Sequence, residues 1–135
     1  MGDITFEQWI SQQSFLVVED ITSSRLMVAG LLRGLGATRV TSASDGNDAL
    51  KKMDKAEPTI ILCDWEMPGM DGLQFLKELV ARPPKPVFIM LTAHHGHAES
   101  TMALNCGADG FVVKPYSRQV IINCLMPFYT GSVAP

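Results

Sequence analysis

Short apolar runs alternate along the chain with longer segments that have the hydrophobic period of a helix. Most of the runs are continuous and rich in β-branched residues, which is typical of strands buried on both faces of a parallel sheet. The runs are 14–20, 39–44, 59–64, 86–92 and 110–114, and the helical segments are 22–36, 45–58, 71–84, 97–108 and 117–126. This order predicts an α/β fold, a (βα)5 doubly wound, five-stranded parallel sheet flanked by helices.

The first of these helical segments carries a clear apolar stripe. We expect Leu26, Ala29 and Leu32–Leu35 to share its buried face. Thr22 or Ser23 is the expected cap of its N-terminus, because a hydroxyl can accept a hydrogen bond from a free backbone N–H there.

The two ends of the chain lie outside the repeating pattern. Residues 1–13 are an N-terminal extension, 14–128 the expected domain, and 129–135 a C-terminal tail. Phe6, Trp9 and Ile10 have helical spacing, so the extension is expected to form a short amphipathic helix. Such a helix either folds back on its own domain or serves as a docking or dimer element.

Composition excludes several classes of protein. A net charge of −3 without a basic run argues against nucleic-acid binding. No apolar run approaches the roughly 20 residues needed to cross a bilayer, and the N-terminus is not of the signal-peptide type. The three cysteines are odd in number and widely spaced, which favours buried free thiols in a reducing cytoplasm. The sequence therefore predicts a cytoplasmic protein that contacts neither membrane nor nucleic acid.

Polar side chains stand where the predicted strands end. They are Glu19–Asp20, Asp64, Thr92 and Lys114. Ligands of open parallel sheets bind beyond the carboxyl ends of the strands, so these side chains are expected to converge. Three close carboxylates raise one another's pKa unless a cation lies among them, and Mg²⁺ prefers such oxygen ligands. A carboxylate beside Mg²⁺, an amine and a hydroxyl is suited to attack phosphorus, and Asp64 is the candidate because its strand is central in the expected sheet.

Four motifs together resemble those of the response-regulator receiver domain. They are the acidic pair in VVED, the stretch CDWEMPGMDG, the triplet LTA and the triplet VKP. The resemblance extends from Ser14 to about Met126, and the motifs occur in the family's order on a (βα)5 pattern. It implies the flavodoxin-like, CheY-like version of the predicted fold.

The resemblance also implies roles for the acidic residues. Asp64 corresponds to the phosphorylated aspartate, and Asp20 to a direct Mg²⁺ ligand. Glu19 would bind the ion directly or through water, and the backbone carbonyl of Glu66 would complete the protein's share of the metal shell. Glu66 and His94 would flank the path of the water that hydrolyses the acyl phosphate.

Further roles follow from the resemblance at the ends of the last two strands. Thr92 would hydrogen-bond one phosphoryl oxygen, and Lys114 would pair with another, before a cis peptide at Pro115. Phe111 stands at the position of the family's aromatic switch, which turns inward when Thr92 moves toward the phosphoryl group.

A stand-alone receiver is the function that this resemblance implies. A histidine kinase or phosphotransfer protein would supply the phosphoryl group, and a downstream protein target would respond. The segment from His94 to Pro127 is poor in charge, which indicates a partner or homodimer surface on its last two helices unless the N-terminal segment covers it. The protein is not expected to be a classical enzyme.

Three other functions stay open at this point. The chain could be a receiver fragment of a larger hybrid kinase or response regulator. It could be a phosphohydrolase with an aspartyl nucleophile, although Glu66 stands where haloacid-dehalogenase-type enzymes carry a second Asp. It could also be a pseudo-receiver scaffold that never takes up phosphate. His94, His95 and His97 favour a solvated loop over a transition-metal site, because no cysteine or carboxylate partner is close in sequence.

Overall fold

The computed structural model describes residues 4–93 and 97–129. The strands are β1 (Ser14–Val18), β2 (Arg39–Ala43), β3 (Ile60–Asp64), β4 (Val87–Thr92) and β5 (Gly110–Val113). The helices are α1 (Phe6–Gln12), α2 (Thr22–Gly34), α3 (Gly46–Ala56), α4 (Gly72–Val80), α5 (His97–Asn105) and α6 (Arg118–Leu125), followed by a 3₁₀ turn at Met126–Phe128. Within these described ranges, no helix has both the length and the apolar character needed to cross a bilayer.

One sheet with the strand order β2-β1-β3-β4-β5 forms the centre of the molecule, and all its neighbouring strands are parallel. Every residue of β1 and β3 is buried. Successive residues of a strand point to opposite faces, so Ile60 and Leu62 join the core beneath α2 and α6, whereas Ile61 and Cys63 join the core beneath α3, α4 and α5. The predicted three-layer α/β fold is confirmed, with β3 at its centre.

The expected inward face and cap of α2 are partly wrong. Leu26 is 64% exposed, because the helix buries Val28, Ala29 and Leu32. Leu26 precedes Val28 by two residues, and at 3.6 residues per turn this places the two side chains on nearly opposite sides. The N-cap residue is Ile21, which has no capping side chain, so neither Thr22 nor Ser23 fills that role.

Helix α4 begins with a side-chain cap that fixes the turn after β3. The Asp71 carboxylate accepts a hydrogen bond from the backbone N–H of Gln74 at 2.9 Å, and the Gln74 side chain accepts one from the backbone N–H of Asp71. This reciprocal pair satisfies two backbone donors at the helix start. It therefore holds the end of the loop that follows Asp64.

The N-terminal helix α1 packs on its own domain. Ile10 is fully buried in the core shared by α2 and α6. The rings of Phe6 and Trp9 both contact the ring of Tyr129, with centroids 5.5 and 5.9 Å away, and the Tyr129 hydroxyl donates a hydrogen bond to the carbonyl of Ile4. The two ends of the described chain are thus joined, while the division into 1–13, 14–128 and 129–135 stays a prediction.

The three cysteines are free thiols. Cys63 is buried as predicted, but Cys106 and Cys124 are only partly buried. Burial raises the pKa of the Cys63 thiol well above its usual range and that of Cys124 to about 12. Cys63 and Cys124 therefore carry little thiolate at neutral pH.

Candidate functional site

The carboxyl edge of the sheet brings the predicted polar residues to one place. Asp64 is the last residue of β3, and Thr92 is the last residue of the neighbouring strand β4. Glu19 and Asp20 follow β1 on the other side of β3, and Lys114 follows β5. The parallel register aligns these strand ends, so four separate strands contribute to one pocket.

Three carboxylates meet in this pocket. Glu19, Asp20 and Asp64 each offer one oxygen, and these oxygens all lie within 4.8 Å of one another. The side chains of Glu19 and Asp64 are 1% and 6% exposed, whereas Asp20 is the most accessible of the three. Such a set of oxygen donors, partly open to solvent, fits a hard divalent cation that keeps some of its waters.

Glu19 is held in surroundings that disfavour its charge. Burial and the neighbouring Asp64 carboxyl are the main causes that raise the pKa of Glu19 to about 7. Within the described residues, no donor group gives a hydrogen bond to either carboxylate oxygen of Glu19. A hydrogen bond between Glu19 and Asp64 forms only when one of the two acids is protonated. Two buried oxygens without a donor are what a cation would satisfy, and this fits the proposed metal site.

Asp64 and Lys114 form the second part of the pocket. The Lys114 Nζ atom lies 3.6 Å from Asp64 Oδ2 and 3.8 Å from Glu19 Oε2. Burial raises the pKa of Asp64, while the hydrogen bond with Glu19 and the positive charge of Lys114 oppose that rise. The peptide bond between Lys114 and Pro115 is cis. A single ammonium thus stands beside two acids, within reach of an anion that binds between them.

Backbone contacts position the two buried acids. The Arg25 guanidinium donates a hydrogen bond of 2.8 Å to the carbonyl of Glu19, which ties the end of β1 to α2. Gly72 packs so closely on the end of β3 that an added Cβ atom would lie 2.4 Å from the carbonyl oxygen of Asp64. The sequence analysis missed both contacts, because neither residue bears the chemistry of the site.

An aromatic pair lies beside the phosphoacceptor candidate. The rings of Trp65 and Phe111 meet edge to face, with centroids 6.4 Å apart and an angle of 86° between the planes. Trp65 directly follows Asp64, and Phe111 lies in the middle of the edge strand β5. The sequence analysis singled out Phe111 but not its partner, although a large aromatic next to the acid was a signal for it.

Other predicted site residues are only partly covered by the structure. Glu66 is exposed in the loop after Asp64. His94 and His95 lie outside the described residues, and His97 is described only as the start of the α5 backbone. The roles assigned to the Glu66 carbonyl, to Glu66 and His94 in hydrolysis, and to the histidine loop therefore stay predictions.

Comparison with known proteins identifies the family. The family model described as the response regulator receiver domain matches residues 15–126. The chain belongs to this family. This receiver domain is 34% identical over 108 residues to the chemotaxis protein CheY of Pseudomonas aeruginosa, which covers 78% of the chain and 87% of CheY. The resemblance stated from the sequence motifs is thereby confirmed.

Longer relatives and solved structures agree with that assignment. The receiver domain is 43% identical over 111 residues to the sensory transduction protein RegX3 of Mycobacterium bovis, covering 81% of the chain but only 47% of RegX3. The chain thus spans about half the length of that relative. The structure of Vibrio cholerae CheY4 is 31% identical with a TM-score of 0.78, covering 85% of this chain and 97% of that one. A Francisella response regulator receiver domain is 26% identical with a TM-score of 0.80, covering 87% and 97%.

Proposed function

We propose that this receiver domain accepts a phosphoryl group on Asp64 in a Mg²⁺-dependent reaction. The observation that carries the proposal is the arrangement of Asp64, which is buried at the central strand end, 3.6 Å from Lys114 and beside two further acids. Receiver domains typically bind Mg²⁺ in an acidic pocket of this kind. Glu19, Asp20 and Asp64 would hold the ion here, and it would neutralise the negative charge that gathers around phosphorus.

In the proposed step, a phosphoryl group moves from an oxygen or nitrogen atom of the donor to a carboxylate oxygen of Asp64. A carboxylate oxygen of Asp64 forms a bond to phosphorus while the bond from phosphorus to the donor's leaving atom breaks. The leaving atom keeps the bonding electrons; for a phosphohistidine donor it is an imidazole nitrogen, which takes a proton from water. Lys114 would pair with one phosphoryl oxygen, and the buried Thr92 hydroxyl would hydrogen-bond another.

A histidine kinase or a phosphotransfer protein is the proposed donor, and a downstream protein the proposed target. The surface proposed to change is the one formed by α5, β5 and α6. Support comes from a groove of about 320 Å³ that Phe111, Val120 and Cys124 help to line, and from Met102 and Leu104 on α5, which are 47% and 49% exposed. Helix α1 packs in the core of α2 and α6, and its residues are not among those that line this groove.

Intact-protein mass spectrometry after incubation with acetyl phosphate tests the central proposal. The wild type should gain one phosphoryl group in Mg²⁺ and none in EDTA, and Asp64→Asn should gain none. Asp54→Asn, which changes an exposed aspartate on α3, is the matched control and should be modified like the wild type. Light scattering of the same samples then shows whether modification changes the oligomeric state. No adduct on the wild type in Mg²⁺ would contradict the proposal and favour a non-phosphorylated scaffold.

A further inference from the structure

The ammonium of Lys114 contacts an aromatic ring as well as the acids of the pocket. Its Nζ atom is 3.6 Å from Asp64 Oδ2 and 3.8 Å from Glu19 Oε2. The same atom lies over the ring of Tyr116, 5.8 Å from the ring centre. Both ion pairs are longer than an ordinary hydrogen bond of about 3 Å, so the acids attract the ammonium without fixing its direction. The ring is a further contact that can fix where the ammonium lies.

Tyr116 offers this contact from a rigid position. The residue is only 8% exposed and belongs to the core beneath α2 and α6, together with Ile121 and Leu125. Burial raises the pKa of Tyr116 above its usual range, so the ring is neutral at physiological pH. The face of a neutral aromatic ring carries partial negative charge and attracts a cation. The Tyr116 hydroxyl has no hydrogen bond among the described residues, which leaves the ring as the polar contact of this side chain.

A lysine that must meet a phosphoryl group benefits from such a platform. Lysine has a flexible four-carbon stem, and holding its ammonium in one place costs conformational entropy. The Lys114 side chain is 25% exposed, so water competes only in part and the attraction to the ring is stronger than at a fully exposed site. If the ring already holds the ammonium in the free protein, less entropy is lost when the phosphoryl group arrives.

We infer that Tyr116 is a positioning residue for phosphoryl transfer, and that its ring holds the Lys114 ammonium where the phosphoryl group binds; the inference rests on the proposed function. Negative charge is spread over the phosphoryl oxygens during transfer, and an ammonium that is already in place stabilises it without rearrangement. Tyr116 acts through Lys114, so its effect on the reaction depends on that lysine.

Initial rates of phosphoryl uptake from acetyl phosphate, followed by intact-protein mass in saturating Mg²⁺, test the inference. Tyr116→Leu removes the ring but keeps an apolar side chain, and it should react roughly three- to ten-fold more slowly than the wild type. Tyr116→Phe keeps the ring and should retain the wild-type rate. Tyr129→Leu removes another aromatic ring, which contacts Phe6 and Trp9, and it should lose stability but keep the wild-type rate.

The same substitution in a Lys114→Gln background separates positioning from packing. Without the ammonium the ring has no cation to hold, so Tyr116→Leu should slow Lys114→Gln by less than about two-fold. A ring-fluorinated phenylalanine at position 116 gives a second test that keeps the ring in the core. Its fluorine atoms withdraw negative charge from the ring face, so it should react more slowly than Tyr116→Phe, even if urea unfolding shows that Tyr116→Leu does not fold.

The outcomes separate the inference from the proposed function. If the wild type gains phosphate and Tyr116→Leu is equally fast, or if Tyr116→Phe is as slow as Tyr116→Leu, the inference is wrong and the function stands. The inference is also wrong if Tyr116→Leu slows both backgrounds equally, as a packing role predicts, or if the fluorinated ring has no effect. If the wild type gains no phosphoryl group in Mg²⁺, the proposed function fails and the inference with it.

Discussion

Replacing Glu19 with glutamine should make the metal-free protein more stable at alkaline pH. The folded protein raises the pKa of Glu19 from 4.5 to about 7, chiefly because the carboxyl is buried and faces Asp64. A raised pKa means that the folded state favours the protonated acid. The stability that this group contributes is therefore fully present below its unfolded pKa of 4.5 and is lost as the pH rises through about 7.

The size of the effect follows from the two pKa values. Each unit of difference corresponds to about 1.4 kcal/mol, so the whole shift is worth about 3 kcal/mol. Between about pH 5 and about pH 8.5 the wild type should lose about 2–3 kcal/mol of stability through this group alone. Glutamine resembles the protonated acid and does not titrate, so Glu19→Gln should avoid that loss. Its stability advantage over the wild type should therefore grow by about 2–3 kcal/mol over this range.

Urea unfolding in EDTA, followed by tryptophan fluorescence at both pH values, measures this difference. Glu78→Gln is the control, because Glu78 is an exposed acid on α4 whose ion pair with Arg82 spans 3.8 Å. That change should alter the free energy of unfolding by less than about 0.5 kcal/mol at either pH. In saturating Mg²⁺ the wild type should recover the stability that it loses at high pH. Glu19→Gln should gain less stability from Mg²⁺, because it has lost one of the proposed metal-binding acids. The reasoning is refuted if Glu19→Gln has the same advantage at both pH values, or none at the higher one.

Two further predictions concern packing and pair each change with a control. Gly72→Ala should cost about 1–3 kcal/mol and impair phosphoryl uptake, because its Cβ would lie 2.4 Å from the carbonyl oxygen of Asp64. Gly30→Ala should instead stabilise the protein by about 0.5–1 kcal/mol, because Gly30 is at an exposed helix position and nothing lies within 4 Å of an added Cβ. Thermal unfolding measures both variants, and equal effects of the two changes would refute the packing argument. Ile10→Ala should cost about 2–4 kcal/mol because Ile10 is fully buried, whereas Ile21→Ala at a 53% exposed site should cost less than about 0.5 kcal/mol. A change of under about 1 kcal/mol at Ile10 in urea unfolding would show that α1 is not anchored.

The sheet could be predicted from the sequence because its strands are buried on both faces. Continuous apolar runs such as Ile60–Asp64 leave few other structures that satisfy both the hydrophobic residues and the backbone. The acids at the strand ends could be found for the same reason, since a charged residue that ends such a run must lie at the edge of the sheet. The position of β3 at the centre of the sheet then placed Asp64 among its neighbours.

Other features depend on contacts between distant parts of the chain. Leu26 is a normal core residue by type, and only the rotation of α2 against the sheet places it outside. Gly72 has no side chain to signal a role, yet the backbone of Asp64 needs its small size.

The pocket takes residues from almost the whole length of the domain. Glu19 follows the first strand, and Lys114 follows the last, yet their charged atoms lie 3.8 Å apart. A chain leaving the ribosome has its acids long before it has its lysine, and these contacts form late because they close long loops. Until β5 joins the sheet, the acids lack Lys114, the ammonium that stands beside Glu19 and Asp64 in the folded protein. A polypeptide that ends before β5 would therefore lack a group that the proposed phosphoryl transfer needs, although it already carries all three acids.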